Sequence, residues 1–227
     1  MRSLYLLAEG QSEFVVIDSV LQPHLEQAGF HVRKSVLVTK PTVGGPAFRG
    51  GVSSWARIEA EIRRVLRDPT INIATTMIDY YGLPEDTPGM SGRHLGADPF
   101  SRIAAAEQAI EEVIGDPRFI AHLVLHELET WVLAAAGPLG DLVGNRRLTE
   151  QIRKIVNGHG GPEQVNDGRE TAPSRRLLAL HPAFNKVFEG PLAIADLGLA
   201  ALRRQCPHAD AWLRRIEALV EDTGPKL

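Results

Sequence analysis

The run Ile71-Asn72-Ile73-Ala74-Thr75-Thr76-Met77-Ile78 is rich in β-formers and carries no charge. A strand of this kind has no polar face to turn to water, so it calls for a parallel sheet covered by helices on both sides. It ends on Asp79-Tyr80-Tyr81-Gly82. A second apolar run, Leu4 to Ala8, also stops at an acid, in Glu9-Gly10-Gln11-Ser12-Glu13. Two strands ending on acids bring those acids together at the carboxyl edge of one sheet, where open α/β proteins place their ligands.

The rest of the N-terminal half alternates in the same way. Phe14, Ile17, Leu21 and Leu25 recur at helical spacing behind Ser12, a candidate cap; Pro23 marks a kink or restart and Gly29 a stop. His31 to Val38 reads as a strand, and Thr39 to Gly51 as a glycine-rich loop carrying Lys40 and Arg49. Ser54 to Arg67 reads as an amphipathic crossover helix ended by Asp68-Pro69. Leu83 to Pro99 is a loop, Phe100 to Ile114 a helix, and Phe119 to Leu125 a strand followed by His126-Glu127-Leu128-Glu129. Strand and helix therefore alternate to about residue 125, and the right-handed crossover rule makes this a parallel sheet with flanking helices.

Beyond Trp131 the strand pattern stops, and short helical stretches are punctuated by Gly137-Pro138, Gly160-Gly161-Pro162 and His181-Pro182. Ala209 to Glu221 is the clearest amphipathic helix there. The expected organisation is a sheet domain over 1–135 and a helical extension over 136–227 packed on it. A hydrophobic content of 44 % supports a substantial core, and a formal net charge of −3 excludes a generally basic nucleic-acid coat. Cys206, the single cysteine, can form no internal disulfide and reads as a buried helix residue of a reducing, cytoplasmic protein. Leu4 to Ala8 is too short for a membrane span, so no membrane partner is expected.

The Glu9 to Glu13 turn offers oxygen ligands of the kind that hard cations take. Magnesium needs only one or two protein carboxylates and fills its shell with water and phosphate oxygens. The same acids also suit duller roles, with Glu13 at the positive end of a helix dipole and Glu9 as a solvated strand end. His126-Glu127-Leu128-Glu129 has the same two readings, acids for the sheet edge or a helix start. A zinc-protease reading of His122 and His126 fails, since the glutamate required by that motif is absent and the segment reads as strand. Gly44 to Gly51 lacks the Gly-Lys-Ser/Thr of a phosphate-binding loop, although Lys40 and Arg49 could approach a phosphate. Arg203-Arg204 and Arg214-Arg215 read as solvated helix faces.

Taken together, Glu9 to Glu13, Asp79-Tyr80-Tyr81-Gly82-Leu83-Pro84, His126-Glu127-Leu128-Glu129, the run from Val165 to Leu177 and Cys206-Pro207-His208-Ala209-Asp210-Ala211-Trp212-Leu213 resemble domain of unknown function 4276. This bacterial family is assigned to the Toprim-like fold. The resemblance implies an α/β fold, a Toprim-like parallel sheet flanked by helices, with an α-helical C-terminal extension. It also implies a magnesium- or manganese-dependent nuclease, because Toprim enzymes bind the metal through a glutamate after the first strand and an Asp-x-Asp after a later one. By position, Glu9 matches that glutamate, Glu13 the second acid one helical turn on, and Asp79 the first aspartate.

Tyr81 stands where the second aspartate would fall, and a phenol is a poor magnesium ligand. Glu127 and Glu129 are the candidate replacements, which makes Glu9, Asp79 and Glu127 the expected catalytic group and Glu13 and Glu129 further metal ligands. Arg49, Asn166, Ser174, Arg175 and Lys186 are candidates for the substrate side, where arginines can position a phosphate and stabilise its developing charge. The implied partners are a nucleic-acid substrate and an ATPase of the ABC type in anti-phage defence, and a homo-oligomer stays open. Two rivals stand beside this reading: a catalytically silent binding module, and a phosphohydrolase or phosphotransferase of a small phosphorylated molecule.

Overall fold

The computed structural model describes residues 1–37, 54–91, 98–165 and 171–221. Strand β1 (Arg2–Ala8) leads into α1 (Gln11–Val16), a π-helical stretch (Ile17–Leu21), α2 (Gln22–Gln27) and β2 (Phe30–Val36). Then come α3 (Trp55–Leu66), β3 (Ile73–Asp79), α4 (Pro99–Ile114) and the two short strands β4 (Phe119–Ile120) and β5 (Leu123–Val124). The remaining elements are helical: α5 (Glu129–Ala134), α6 (Ala136–Leu142), α7 (Arg146–His159), α8 (Pro173–Leu180), α9 (Glu189–Leu197), α10 (Leu199–Gln205) and α11 (Pro207–Glu221).

The sheet runs β2-β1-β3-β4, with β5 also on β3, and every pairing is parallel. All seven residues of β3 are buried, as its uncharged composition requires. Side chains alternate between two apolar layers, Ile73 and Met77 facing one and Ala74 and Ile78 the other. Ile58 and Ile62 of α3 and Ile103 and Ile110 of α4 pack in the second layer. The first is shared by the π-helical stretch, α2 and the C-terminal helices through Ile17, Leu25, Trp131, Leu177, Trp212 and Ile216.

The strand order has a consequence for the site. From β1 the chain moves outward to β2 on one side and then, through α3, returns to β3 on the other. The carboxyl ends of β1 and β3 thus flank the point where the winding reverses, which opens a crevice in sheets of this type. Glu9 follows β1 and Asp79 closes β3.

Several sequence expectations are corrected. Gly10, in an extended conformation, caps α1, while Ser12 is buried inside the helix. The restart expected at Pro23 is present, since a π turn in which Gln22 N–H bonds Ile17 C=O separates α1 from α2, which begins at Gln22. Proline has no N–H to continue the regular ladder, so the wider turn before it absorbs the mismatch. Asp98 caps α4, its Oδ1 accepting from Phe100 N–H (3.0 Å) and Ser101 N–H (3.1 Å), so that helix begins at Pro99. The strand expected over 119–125 is two pieces of unchanged register. Between them Thr76 Oγ1 donates to His122 C=O (2.9 Å) and accepts His122 N–H (3.0 Å), a side chain taking over from the ladder.

Arg203 is not a solvated face residue either. It bridges Asp210 (2.5 Å) and Glu217 (2.5 and 3.0 Å) across α10 and α11. Arg204, Arg214 and Arg215 are exposed as expected. Cys206 is buried, between α10 and α11. Val38, Lys40, the glycine loop with Arg49, and Asn166 lie outside the described residues. Among the described residues no helix is long and apolar enough to cross a membrane.

Candidate metal centre

Glu9 leaves β1 and turns back across the sheet edge, where its Oε2 accepts Asp79 N–H at 2.8 Å. The bond ties the ends of the two central strands together. Gly82 makes room for it, since a Cβ there would meet Glu9 Oε1 at 2.9 Å and Oε2 at 3.1 Å. This need for a glycine was not foreseen from sequence, although its signal was visible: a glycine follows Asp79 by three residues.

Asp79 is buried and its Oδ1 accepts Leu128 N–H at 2.8 Å. That bond fixes the segment after β5 against the end of β3. The segment turns sharply at His126, the one described non-glycine residue with positive φ, at 69°. Such a conformation costs free energy and persists only where its surroundings hold it. Here Tyr81 N–H bonds His126 C=O at 3.0 Å and the two rings lie 5.3 Å apart. Tyr81, standing where an aspartate was expected, thus helps to hold the turn that delivers Glu127 and Glu129.

Glu129 opens α5 and is buried. Lys186, from the turn between α8 and α9, places its Nζ 3.4 Å from Glu129 Oε1 and 3.8 Å from Asp79 Oδ2. Glu13, one turn into α1, is buried as well. Glu127 is differently engaged, for its Oε2 accepts Ser174 N–H (3.0 Å) at the start of α8. Ser174 therefore meets the site through its backbone, with Arg175 exposed beside it.

The electrostatics follow from burying more acids than bases. Burial pushes Glu9 up to about 7, against the hydrogen bond from Asp79, with Glu13 and Glu129 adding to the rise and Lys186 opposing it. Asp79 is raised well above the carboxylate range by burial, then by Glu9 and Glu13. Glu129 is raised chiefly by burial, and nearby Lys186 relieves it only in part. For Lys186 burial works against the charge, yet Asp79, Glu129, Glu13 and Glu9 outweigh it and hold the ammonium above its ordinary pKa. Glu13 Oε1 and Glu129 Oε2 are buried without a hydrogen-bond partner. Native proteins rarely leave such atoms unmatched, and hard oxygen donors lacking a partner are what a divalent cation takes up.

The structure therefore gathers Glu9, Glu13, Asp79 and Glu129 around Lys186, with Glu127 beside them and bonded to α8.

The residues of this crevice fall within a single family match. The chain belongs to the family described as Domain of unknown function (DUF4276), whose model covers residues 8–217. No curated protein matches this DUF4276 member. Among solved structures it is similar to the C-terminal region of the Burkholderia pseudomallei OLD protein, at 16 % identity and a TM-score of 0.44, over 98 % of each chain. It is also similar to the C-terminal region of the Xanthomonas campestris pv. campestris OLD protein, at 19 % identity and a TM-score of 0.36, over 93 % of this chain and 97 % of that one.

Proposed function

We propose that this protein is a metal-dependent phosphodiester hydrolase acting on nucleic acid. The observation that carries the reading is the gathering of Glu9, Glu13, Asp79 and Glu129 at the switch point of a parallel sheet, with two buried carboxylate oxygens left unmatched. These donors are all oxygens, which suits magnesium or manganese. A bound divalent ion would supply an activated water and neutralise charge on the phosphate and its leaving oxygen.

The chain's own residues have distinct tasks in this proposal. Glu9 and Asp79 are held rigidly, one by the backbone of the other strand and one by the Leu128 N–H. Preorganisation of this kind avoids rearrangement at the moment of reaction. Lys186 lowers the cost of ionising the acids and, being half exposed, can turn toward a phosphate oxygen. Arg175, at the first turn of α8, is the positioning cation for the substrate strand. An association with an ABC-type ATPase belongs to the same proposal through the family resemblance.

The test is cleavage of DNA and RNA in magnesium and in manganese by wild type, Glu9→Gln and Asp79→Asn. Loss of activity by at least about a hundredfold in both variants is expected. Equal rates in all three proteins, or no cleavage by any of them, would overturn the proposal. The second reading, a silent binding module, draws support from Lys186, whose ammonium already offsets part of the acidic charge. No cleavage together with unchanged melting in magnesium would favour it.

A further inference from the structure

A second cluster lies on the flank of the sheet and shares no residue with the acidic centre. Glu107 comes from α4, His122 from the bridge between β4 and β5, and His208 from the first turn of α11. One ligand atom from each lies within 4.8 Å of the others. Glu107 Oε1 is 3.0 Å from His208 Nε2 and 3.5 Å from His122 Nδ1. The donors of a tetrahedral zinc with bonds of about 2.0–2.1 Å stand about 3.3 Å apart, so small side-chain movements close the set.

We propose that Glu107, His122 and His208 form a zinc site that pins α11 to the sheet. Two imidazoles and one carboxylate are a borderline-soft set that suits zinc and not magnesium, and the fourth position is open to water. His122 gives the strongest reason. It is 1 % exposed, yet neither ring nitrogen has a hydrogen-bond partner. An imidazole buried this way forfeits about 1–3 kcal/mol for each unmatched group, and a cation on Nδ1 would give its lone pair a partner.

A hydrogen-bond network alone accounts for less. Glu107 Oε1 already accepts Leu123 N–H at 2.8 Å and faces His208 Nε2, which also lies 3.2 Å from Leu123 C=O. One oxygen is thus crowded with donors while His122 has none of its own. On the proposal, zinc takes the place of the proton that His208 Nε2 shares between those two oxygens.

The surroundings set the ligands as metal sites require. The His122 ring stacks on Trp212 (centroids 3.9 Å apart, planes within 4°), and Trp212 Nε1–H is anchored on Thr75 Oγ1 at 2.9 Å. The His122 and His208 planes differ by 25°. Glu163 receives His208 N–H (2.9 Å) and Ala209 N–H (3.2 Å), which holds the start of α11 in place. Ring orientation locked by a second layer of contacts is a general property of histidine ligands.

The test uses the full chain. Zinc content is measured after dialysis in excess magnesium, and visible spectra are recorded on cobalt-loaded wild type, His208→Gln, His122→Gln and the Glu9→Gln/Asp79→Asn double variant. About one zinc per chain and the intense bands of tetrahedral cobalt are expected in wild type and in the double variant. Each histidine variant should bind zinc at least about a hundredfold more weakly. Absence of tetrahedral cobalt in wild type overturns the proposal even if a histidine variant misfolds. Zinc binding that survives both histidine substitutions, or vanishes in the double variant, overturns it equally.

Discussion

Two groups of acids in this molecule meet opposite fates. Arg203 of α10 faces Asp210 and Glu217, both on α11, and His24 Nε2 of α2 approaches Glu217 at 2.6 Å. Burial alone would raise both acids, but Arg203, aided at Glu217 by His24, holds them below the usual range. At the carboxyl edge of the sheet, Glu9, Asp79 and Glu129 are raised, and Lys186 opposes the rise only in part. The first group is matched and serves to join helices. The second is opposed by burial and by its own like charge, so ionising it costs stability, a cost that a cation bound there on the proposed function would offset.

The largest break in this contrast comes from Asp79→Asn. It should cost at least about a hundredfold in cleavage while raising the melting temperature in chelator, since it removes a carboxyl whose ionisation burial and Glu9 oppose and keeps an acceptor for Leu128 N–H. Activity assays and calorimetry on the same samples check both halves. Arg203→Ala should act in the opposite sense, losing about 1 kcal/mol in urea denaturation with cleavage unchanged, because it removes the cation shared by two carboxylates and leaves Asp210 with Arg214 and Glu217 with His24.

The two groups should also part company with pH. Asp210 and Glu217 have depressed values, so their contribution is present above about pH 4 and is lost as pH falls through the folded-state values. The stability gap between wild type and Arg203→Ala should therefore close in acid. Glu9 is raised from 4.5 to about 7, so its carboxyl is neutral in both states below that window and charged at a cost above it. In chelator, Glu9→Gln should gain about 2–3 kcal/mol on wild type as pH rises from 4.5 to 7. Denaturation series at several pH values measure both trends, and a gain that stayed flat would remove the contrast. The smallest effect is expected of Gly82→Ala. A Cβ set 2.9 Å from Glu9 Oε1 must displace that carboxylate, lowering cleavage by about tenfold with little loss of stability.

Much of this was legible in residue order. The uncharged β3 run, the acids at the ends of β1 and β3 and the helical character beyond Trp131 all emerged from composition and spacing. Other features did not. Thr76 substituting for ladder hydrogen bonds at His122 depends on a residue far away in sequence, as does the capture of Glu127 by the start of α8. Arg203 looked like a surface charge because a helix pattern cannot reveal which helix will pack opposite it.

By itself the sequence determined that two apolar strands would end on Glu9 and Asp79 at one edge of a parallel sheet. It could do so because strand periodicity and chain direction are local properties. Only the tertiary structure decided which further groups join them. Glu129 and Lys186 reach Asp79 across α5 and the turn before α9, and Glu107, His122 and His208 meet from three separate elements. Burial and distance between remote segments set those partnerships and their charge states, and neither quantity is written in the order of the residues.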